Sequence, residues 1–333
     1  MMANGGTGGG VGGEPKRHIP VLLQSVLEAL KPADGETYID GTFGAGGYSR
    51  AILESANCQV IGIDRDPVSL DIGRELEKAF PQQFTIVEGC FSDLQSLAGN
   101  CGKSNVDGVV LDIGVSSMQL DTPERGFSFQ AAGPLDMRMG TSGSTAAEIL
   151  ADLSEKTLAE ILFKLGEEKR SRAIARAIVR QRQEQPVTTT KQLADLVAAV
   201  IGRRKDGINP ATRTFQALRI FVNQELEELA NGLAAAEKIL APGGRLVVVS
   251  FHSLEDRIVK NFLTRRSGNL PLPSRHRPEE VERPVQSFQL VNRKAVKPTE
   301  EEVGLNPRAR SARLRAAVRT GEETVPLDFD SLG

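Results

Sequence analysis

The sequence predicts an α/β fold: a parallel sheet covered by helices on both faces, with an all-helical domain inserted into it. Three observations predict this. Short apolar runs alternate with amphipathic stretches from Val21 to Asp112. Only helical periodicity is found between about Thr145 and Gly202. A Pro242–Gly243–Gly244 turn then restarts an apolar strand.

Val21 to Leu30 reads as a helix. Tyr38–Ile39–Asp40 reads as a short buried strand, followed by a Gly-rich turn and a helix near Tyr48 to Glu54. Val60 to Asp64 is the next strand and Val68 to Phe80 the next helix. Phe84 to Val87 and Val109 to Asp112 supply two more strands. In the helical stretch, Ser154 caps a helix ending near Gly166. A second helix runs to Gln183 and stops before Pro186. Thr188 to Thr190 starts a third, which ends at Gly202. Asn209–Pro210 opens one long helix, with Asn as cap and Pro at the first helical position. Leu218, Val222, Leu226, Leu229 and Leu233 fall on one of its faces. Leu246 to Ser250 returns to the sheet, Leu254 to Leu263 is helical, and Ser287 to Val291 and Arg313 to Val318 are strands beyond a Pro-rich linker. The expected division is a disordered tail over 1–15, a discontinuous sheet domain over 16–122 and 208–320, an inserted helical domain over 123–207, and a flexible tail over 321–333.

The chain of 333 residues is 40% apolar and 25% charged, the composition of an ordinary globular protein. No apolar run approaches the roughly 20 residues of a membrane span, and the Gly-rich start carries no secretory or transit signal. Cys58, Cys90 and Cys101 lack metal-binding spacing, and the three histidines lie far apart. No metal and no disulfide framework is expected, and the plain reading is a cytoplasmic protein with reduced thiols. The net charge of −2 argues against nucleic acid, but the charge is uneven. Lys169 to Arg182 and Leu305 to Arg319 are basic stretches without acids, and a local basic surface holds phosphate whatever the net charge.

The turn Asp40–Gly41–Thr42–Phe43–Gly44–Ala45–Gly46–Gly47 follows the first strand and opens a helix. Glycines let a backbone turn sharply and approach a ligand. Asp64 ends the next strand, in register to bind ribose hydroxyls. A dinucleotide is the competing ligand. S-adenosylmethionine is favoured because Asp40, an acid at the end of the first strand, can meet an ammonium group. In addition, Leu240 to Leu246 resembles the turn before the fifth strand of Rossmann-like methyltransferases.

Seven segments carry a closer resemblance. They are Asp40–Gly47, Ile63–Pro67, Leu111–Ser117, Glu124–Phe129, Gly133–Met139, Ser250–Arg257 and Asn306–Arg315. Together they resemble the MraW (RsmH) family, over about His18 to Arg319. The resemblance implies a Rossmann-like class I S-adenosylmethionine-dependent methyltransferase sheet with an inserted helical domain. It also implies methylation of N4 of a decoding-centre cytosine of 16S ribosomal RNA, in the small ribosomal subunit. By motif, the cofactor contacts would be Gly46, Gly47, Tyr48, Asp64, Phe91, Asp112 and Gln119, with Tyr48 standing where the family usually has His.

A cytosine N4 amine is a poor nucleophile, so a site must orient it and accept its hydrogen bonds. The Asp/Asn-Pro-Pro-aromatic loop of many amino-methyltransferases is replaced here by Asp112–Ile113–Gly114–Val115–Ser116–Ser117. Asp112 or Ser116 could accept from the amine, and His252 could contact the base or take a proton. Asp136 reads as a structural ion-pair partner. Arg172, Arg176 and Arg180 share one helix face that could bind RNA phosphates or simply be solvated. Arg308 and Arg310 are the better RNA candidates of the basic tail, since Arg313 and Arg315 fall on one face of a strand. An unstacked base could rest on arginine planes or on Phe127 and Phe129. Two other readings stay open: methylation of another RNA, protein or small-molecule amine, and a non-catalytic binding protein. The oligomeric state is open too.

Overall fold

The computed structural model describes residues 20–202, 209–269, 285–324, 326, 329 and 332. The tail expected over 1–15 and much of the Pro-rich linker lie outside the described residues. Five parallel strands, β1 (Thr37–Asp40), β2 (Gln59–Asp64), β3 (Phe84–Glu88), β4 (Val106–Asp112) and β5 (Leu240–Ser250), are completed by β6 (Phe288–Leu290) and β7 (Arg313–Arg319). The order across the sheet is β3-β2-β1-β4-β5-β7-β6, with β7 antiparallel to both β5 and β6. The α/β class expected from alternation is thus observed. The strand order reverses direction between β1 and β4, which are paired from Tyr38↔Gly108 to Asp40↔Val110. Open sheets bind ligands beyond the carboxyl ends of the strands at such a reversal.

Alternation along each strand feeds two cores. Ile39, Ile63, Leu111 and Val248 face one way, against Leu233 and Phe262. Tyr38, Val110, Val247 and Val249 face the other, against Leu30 and Ile52. Strands buried on both faces read as continuous apolar runs, which is why they were visible in the sequence. The helices on the sheet are α1 (Leu23–Leu30), α2 (Gly47–Ser55), α3 (Pro67–Ala79) and α4 (Leu94–Asn100). A short α5 (Ser117–Asp121) follows β4.

Four helices come next: α6 (Ala146–Asp152), α7 (Glu155–Gly166), α8 (Ser171–Glu184) and α9 (Thr190–Ile201). With α10 (Thr212–Asn223) they enclose a third core that includes Leu150, Leu162, Ile174, Leu193, Phe215 and Leu218. Ser154 and Thr189 cap α7 and α9 through their hydroxyls. No strand is assigned between 145 and 202 among the described residues; the nearest feature is an isolated Pro134↔Thr189 bridge.

The single long helix expected after Asn209 is two. The chain breaks at Gln224, whose φ of 51° is left-handed, between α10 and α11 (Glu225–Ile239). Asn209 still acts as a turn cap, its Oδ1 accepting from Ala211 N at 2.9 Å, but the helix starts at Thr212. The break hands the chain from the third core to the first: Phe215 and Leu218 pack in the former, Leu229 and Leu233 in the latter. Two more helices complete the described chain, α12 (Ser253–Arg266) before β6 and α13 (Glu300–Leu305) before β7. No helix among the described residues is long and apolar enough to cross a membrane.

Left-handed φ costs a non-glycine residue roughly 1–2 kcal/mol. The Gln224 side chain is exposed. Gln224→Gly should therefore stabilise the protein by about 0.5–1 kcal/mol, part of the relief being offset by chain entropy. Urea unfolding would measure the shift, and a destabilised variant would contradict it.

Candidate active site

Three carboxylates end neighbouring strands at the reversal. Asp40 closes β1 and is fully buried. It accepts from Ser49 Oγ at 2.7 Å and Thr42 N at 3.4 Å, and burial pushes its pKa up to about 6. Asp64 closes β2 and accepts from Gly44 N at 2.7 Å and Asp66 N at 2.9 Å. Burial raises its pKa as well. Asp112 closes β4, its backbone N–H held by Thr42 Oγ1 at 2.6 Å. Its Oδ1 is buried and has no hydrogen-bond partner. Burial, then the charges of Asp40 and Glu255, raise its pKa well above the carboxylate range.

The Gly-rich turn closes this floor. Gly46 caps α2 at φ 74°, where a side chain would be strained and would strike the Phe43 ring. Gly47 begins the helix, and a Cβ there would stand 2.3 Å from Pro20. The turn and the three acids therefore meet in space, as the spacing of Asp40 and Asp64 suggested.

Other candidates are already engaged by the protein. The Tyr48 hydroxyl, where the family usually has His, donates to the Val21 carbonyl, and the ring is buried in the second core. The Gln119 amide donates to Asp66 Oδ2 at 2.8 Å and accepts from Ser116 N at 3.0 Å. The Phe91 ring packs on α11, where a Cβ at Gly232 would meet it at 2.3 Å, and is partly buried against the first core. Ser116 caps α5, its Oγ accepting from Gln119 N at 3.2 Å, which leaves its proton free to donate. His252 caps α12, with Nδ1 accepting from Glu255 N at 3.4 Å. Its Nε2 lies 2.9 Å from Glu255 Oε1 but off the hydrogen-bonding direction. Asp136 pairs with Arg138 at 2.8 Å, in the structural role expected.

Sequence reasoning missed two buried ionic ties around the site. Asp66 caps α3 and also accepts from Arg125 Nη1 at 2.7 Å; Arg125 in turn donates to the carbonyls of Arg138 and Met139. The Asp66–Pro67 pair is a visible cap signal, but the arginine lies 59 residues away. The second tie joins Arg219 to Glu225 at 2.8 Å and, at 3.8 Å, to the fully buried Glu255. Burial raises the Glu255 pKa, but His252, Arg219 and the Phe251 N–H outweigh it and leave it lowered. Glu225, His252 and Glu255 bring possible metal-ligand atoms within 4.8 Å of one another. Arg219 already supplies positive charge there, and the α12 N-terminus adds more.

The basic tail does find acids. Arg313 and Arg315 both pair with Asp256, at 2.7 and 2.8 Å, and Arg308 pairs with Asp121. Arg319 donates to the carbonyls of Glu237 and Ser287. Arg310 is exposed with no described partner. Arg172, Arg176 and Arg180 are exposed on one face of α8, and Arg176 lies 3.5 Å from Glu155. Phe127 is buried and Phe129 stands edge-on to Phe215, so neither is open to a base.

The model of the MraW methylase family matches residues 15–320. The chain belongs to that family. Ribosomal RNA small subunit methyltransferase H of Parvibaculum lavamentivorans is 58% identical over 317 residues, covering 95% of this chain and 93% of its own. The protein of the same name from Azorhizobium caulinodans is 57% identical, covering 98% of this chain and 95% of its own. Among solved structures, an rRNA methylase from Streptococcus thermophilus aligns over 90% of this chain and 93% of its own at 9% identity and a TM-score of 0.38, too distant to bear on function. As an MraW methylase the chain is an S-adenosylmethionine-dependent methyltransferase. The residues fit that cofactor. Asp40, Asp64 and Asp112 bring three buried acids together, Asp112 with an unpartnered oxygen, and a cationic ligand there would favour their ionised forms.

The Asp40 pKa has a thermodynamic sign. Below pH 4 the carboxyl is protonated folded and unfolded alike, so it costs nothing. As pH rises from about 4 to 6, the folded state holds the proton more tightly, and stability is lost. Without cofactor, Asp40→Asn should therefore be more stable than wild type at pH 8, by about 1–3 kcal/mol, with the gap closing towards pH 4. Urea titrations at the two pH values would check it; equal stability at pH 8 would contradict the burial argument.

Proposed function

We propose that this chain methylates N4 of a decoding-centre cytosine of 16S ribosomal RNA, in the small ribosomal subunit and in the cytoplasm. The observation that carries the reading is the buried, unpartnered Oδ1 of Asp112 at the end of β4. It is an acceptor at the crevice with nothing in the protein to satisfy it. The names of the relatives and the motif resemblance support ribosomal RNA as the substrate.

S-adenosylmethionine, when bound, supplies an electrophilic methyl group. The residues placed to hold it are the Gly44–Gly47 turn and Asp64, whose carboxylate suits ribose hydroxyls. Asp112 accepts a hydrogen bond from the exocyclic amine and so orients its lone pair. That bond strengthens as the nitrogen becomes cationic during methyl transfer. The same oxygen can then take the surplus amine proton and pass it to water, and a carboxylate with a raised pKa is the better base for it. His252, fixed as a helix cap beside Glu255, shapes the loop rather than carrying the proton. Exposed Arg172, Arg176 and Arg180 on α8, with Arg308 and Arg310, are the residues proposed to meet phosphates. The Arg308–Asp121 pair is half-exposed, and such pairs contribute only about 0–1 kcal/mol, so a phosphate can replace the acid.

Methyl transfer from labelled cofactor to 30S particles, free 16S RNA and protein, followed by nucleoside digestion, tests the assignment. The expected product is N4-methylcytosine in the small-subunit RNA; label in protein or another nucleoside would overturn it. Asp112→Asn should lower kcat by about 10²- to 10⁴-fold, the span of acid–base effects, in single-turnover assays. Replacing Arg172, Arg176 and Arg180 together by Ala should reduce the magnitude of the salt slope of RNA binding by about one per lost phosphate contact. An unchanged slope would make that face merely solvated.

A further inference from the structure

We infer that Phe251 is the ring on which the target base stacks once it leaves the RNA helix. This rests on the reading that a ribosomal cytosine is the target. A base held for in-line attack needs a flat apolar surface as well as an acceptor for its amine. The chain has no Trp, two Tyr and 13 Phe. Several of these rings are buried in the cores. Phe80, Phe91 and Phe129 each have one ring neighbour, Arg50 over Phe80, α11 against Phe91 and Phe215 edge-on to Phe129. Phe163 and Phe221 are exposed on α7 and α10, and Phe329 lies beyond β7. Phe251 is half-buried in the loop that leaves β5, next to the strand that Asp112 ends.

Strand register places it. Asp112 pairs with Val249 across β4 and β5, and Ile113 N donates to the Val249 carbonyl at 2.8 Å. Successive residues alternate faces, so position 251 returns to the face of Val249 and Asp112. Both Val249 and Phe251 belong to the second core, and Tyr48 of that core feels the charge of Asp112. Beside Phe251 stands Gly114, two residues past Asp112; a Cβ there would lie 3.6 Å from Phe251 Cδ2. Glycine at this place sets no side chain of its own against the ring. The ring is also anchored: Phe251 N donates to Glu255 Oε2 at 2.8 Å, and His252 N to the same oxygen at 3.1 Å. The buried Glu255 thus fixes the backbone that carries the ring, while Asp112 ends the neighbouring strand on the same face of the sheet. Ring and acceptor together suit an extruded pyrimidine.

The competing explanation is that Phe251 only completes the second core. Leucine separates the two, because it keeps apolar packing and removes the π-face. Phe251→Leu should bind S-adenosylmethionine like wild type in calorimetry, yet raise KM for 30S particles by about 10- to 100-fold, the usual effect of losing one base–aromatic stack. Phe251→Tyr should restore it. In wild type, an RNA hairpin with fluorescent pyrrolocytosine at the target position should be quenched on binding with S-adenosylhomocysteine present, a measurement needing no variant. Wild-type KM in Phe251→Leu, or an unquenched probe, overturns the stacking role. Wild-type product is analysed first: absence of N4-methylcytosine overturns the target assignment instead, and is seen before any variant is made.

Discussion

Buried negative charge at the strand reversal is the constraint around which the molecule is arranged. Asp40, Asp64 and Asp112 end β1, β2 and β4, and burial raises the pKa of each. Desolvated carboxylates are tolerated only where hydrogen bonds or opposite charge compensate. Here the backbone N–H groups of Gly44, Asp66 and Thr42, together with the Ser49 hydroxyl, compensate Asp64 and Asp40. Asp112 Oδ1 is left over. The two cores on either face of the sheet supply the stability that holds this arrangement, since each fully buried Leu, Ile or Phe contributes about 1.5–3 kcal/mol.

The sheet was legible because its strands are apolar on both faces and bounded by Gly, Pro and Asp. The break at Gln224 was not, because Leu218, Val222, Leu226 and Leu229 keep helical spacing across it and glutamine carries no mark of left-handed backbone. At the site, Asp64 and Asp112 were legible from their places at strand ends. Ser116 and His252, candidates for the chemistry, and Gln119, a candidate cofactor contact, also turn out to cap helices: Ser116 with Gln119 and His252 with Glu255 form capping boxes. The Ser-x-x-Gln spacing is a visible capping signal; a histidine cap is rarer and easily mistaken for a catalytic group. The acids that neutralise the basic tail were beyond reach. Asp121 and Asp256 lie 187 and at least 57 residues from the arginines they meet, so only the fold could reveal them.

The ends of the central strands are also stiffened through loops. Thr42, in the Gly-rich turn, holds the backbone N–H of Asp112 and so joins the ends of β1 and β4. Glu255 holds the backbone leaving β5 through the N–H groups of Phe251 and His252. A displacement of either loop is thus passed to Asp112 or to Phe251, and under the proposed function such coupling suits the alignment of a weak nucleophile with its electrophile.

The two ionic ties that flank the helical region have a consequence for protein engineering. Arg125 reaches Asp66 where the chain leaves the sheet, and Arg219 reaches Glu225 and Glu255 where it returns. Each tie sets a cation from the excursion against an acid that is nearly or fully buried. Deleting the excursion to make a minimal enzyme, or grafting in that of a distant homologue lacking these arginines, would leave the buried Asp66 and Glu255 without their arginine partners. Breaking a buried pair from one side costs about 3–5 kcal/mol, comparable with the whole stability of many domains. A viable chimera must therefore carry its arginines across with the helices, or neutralise both acids in the recipient sheet.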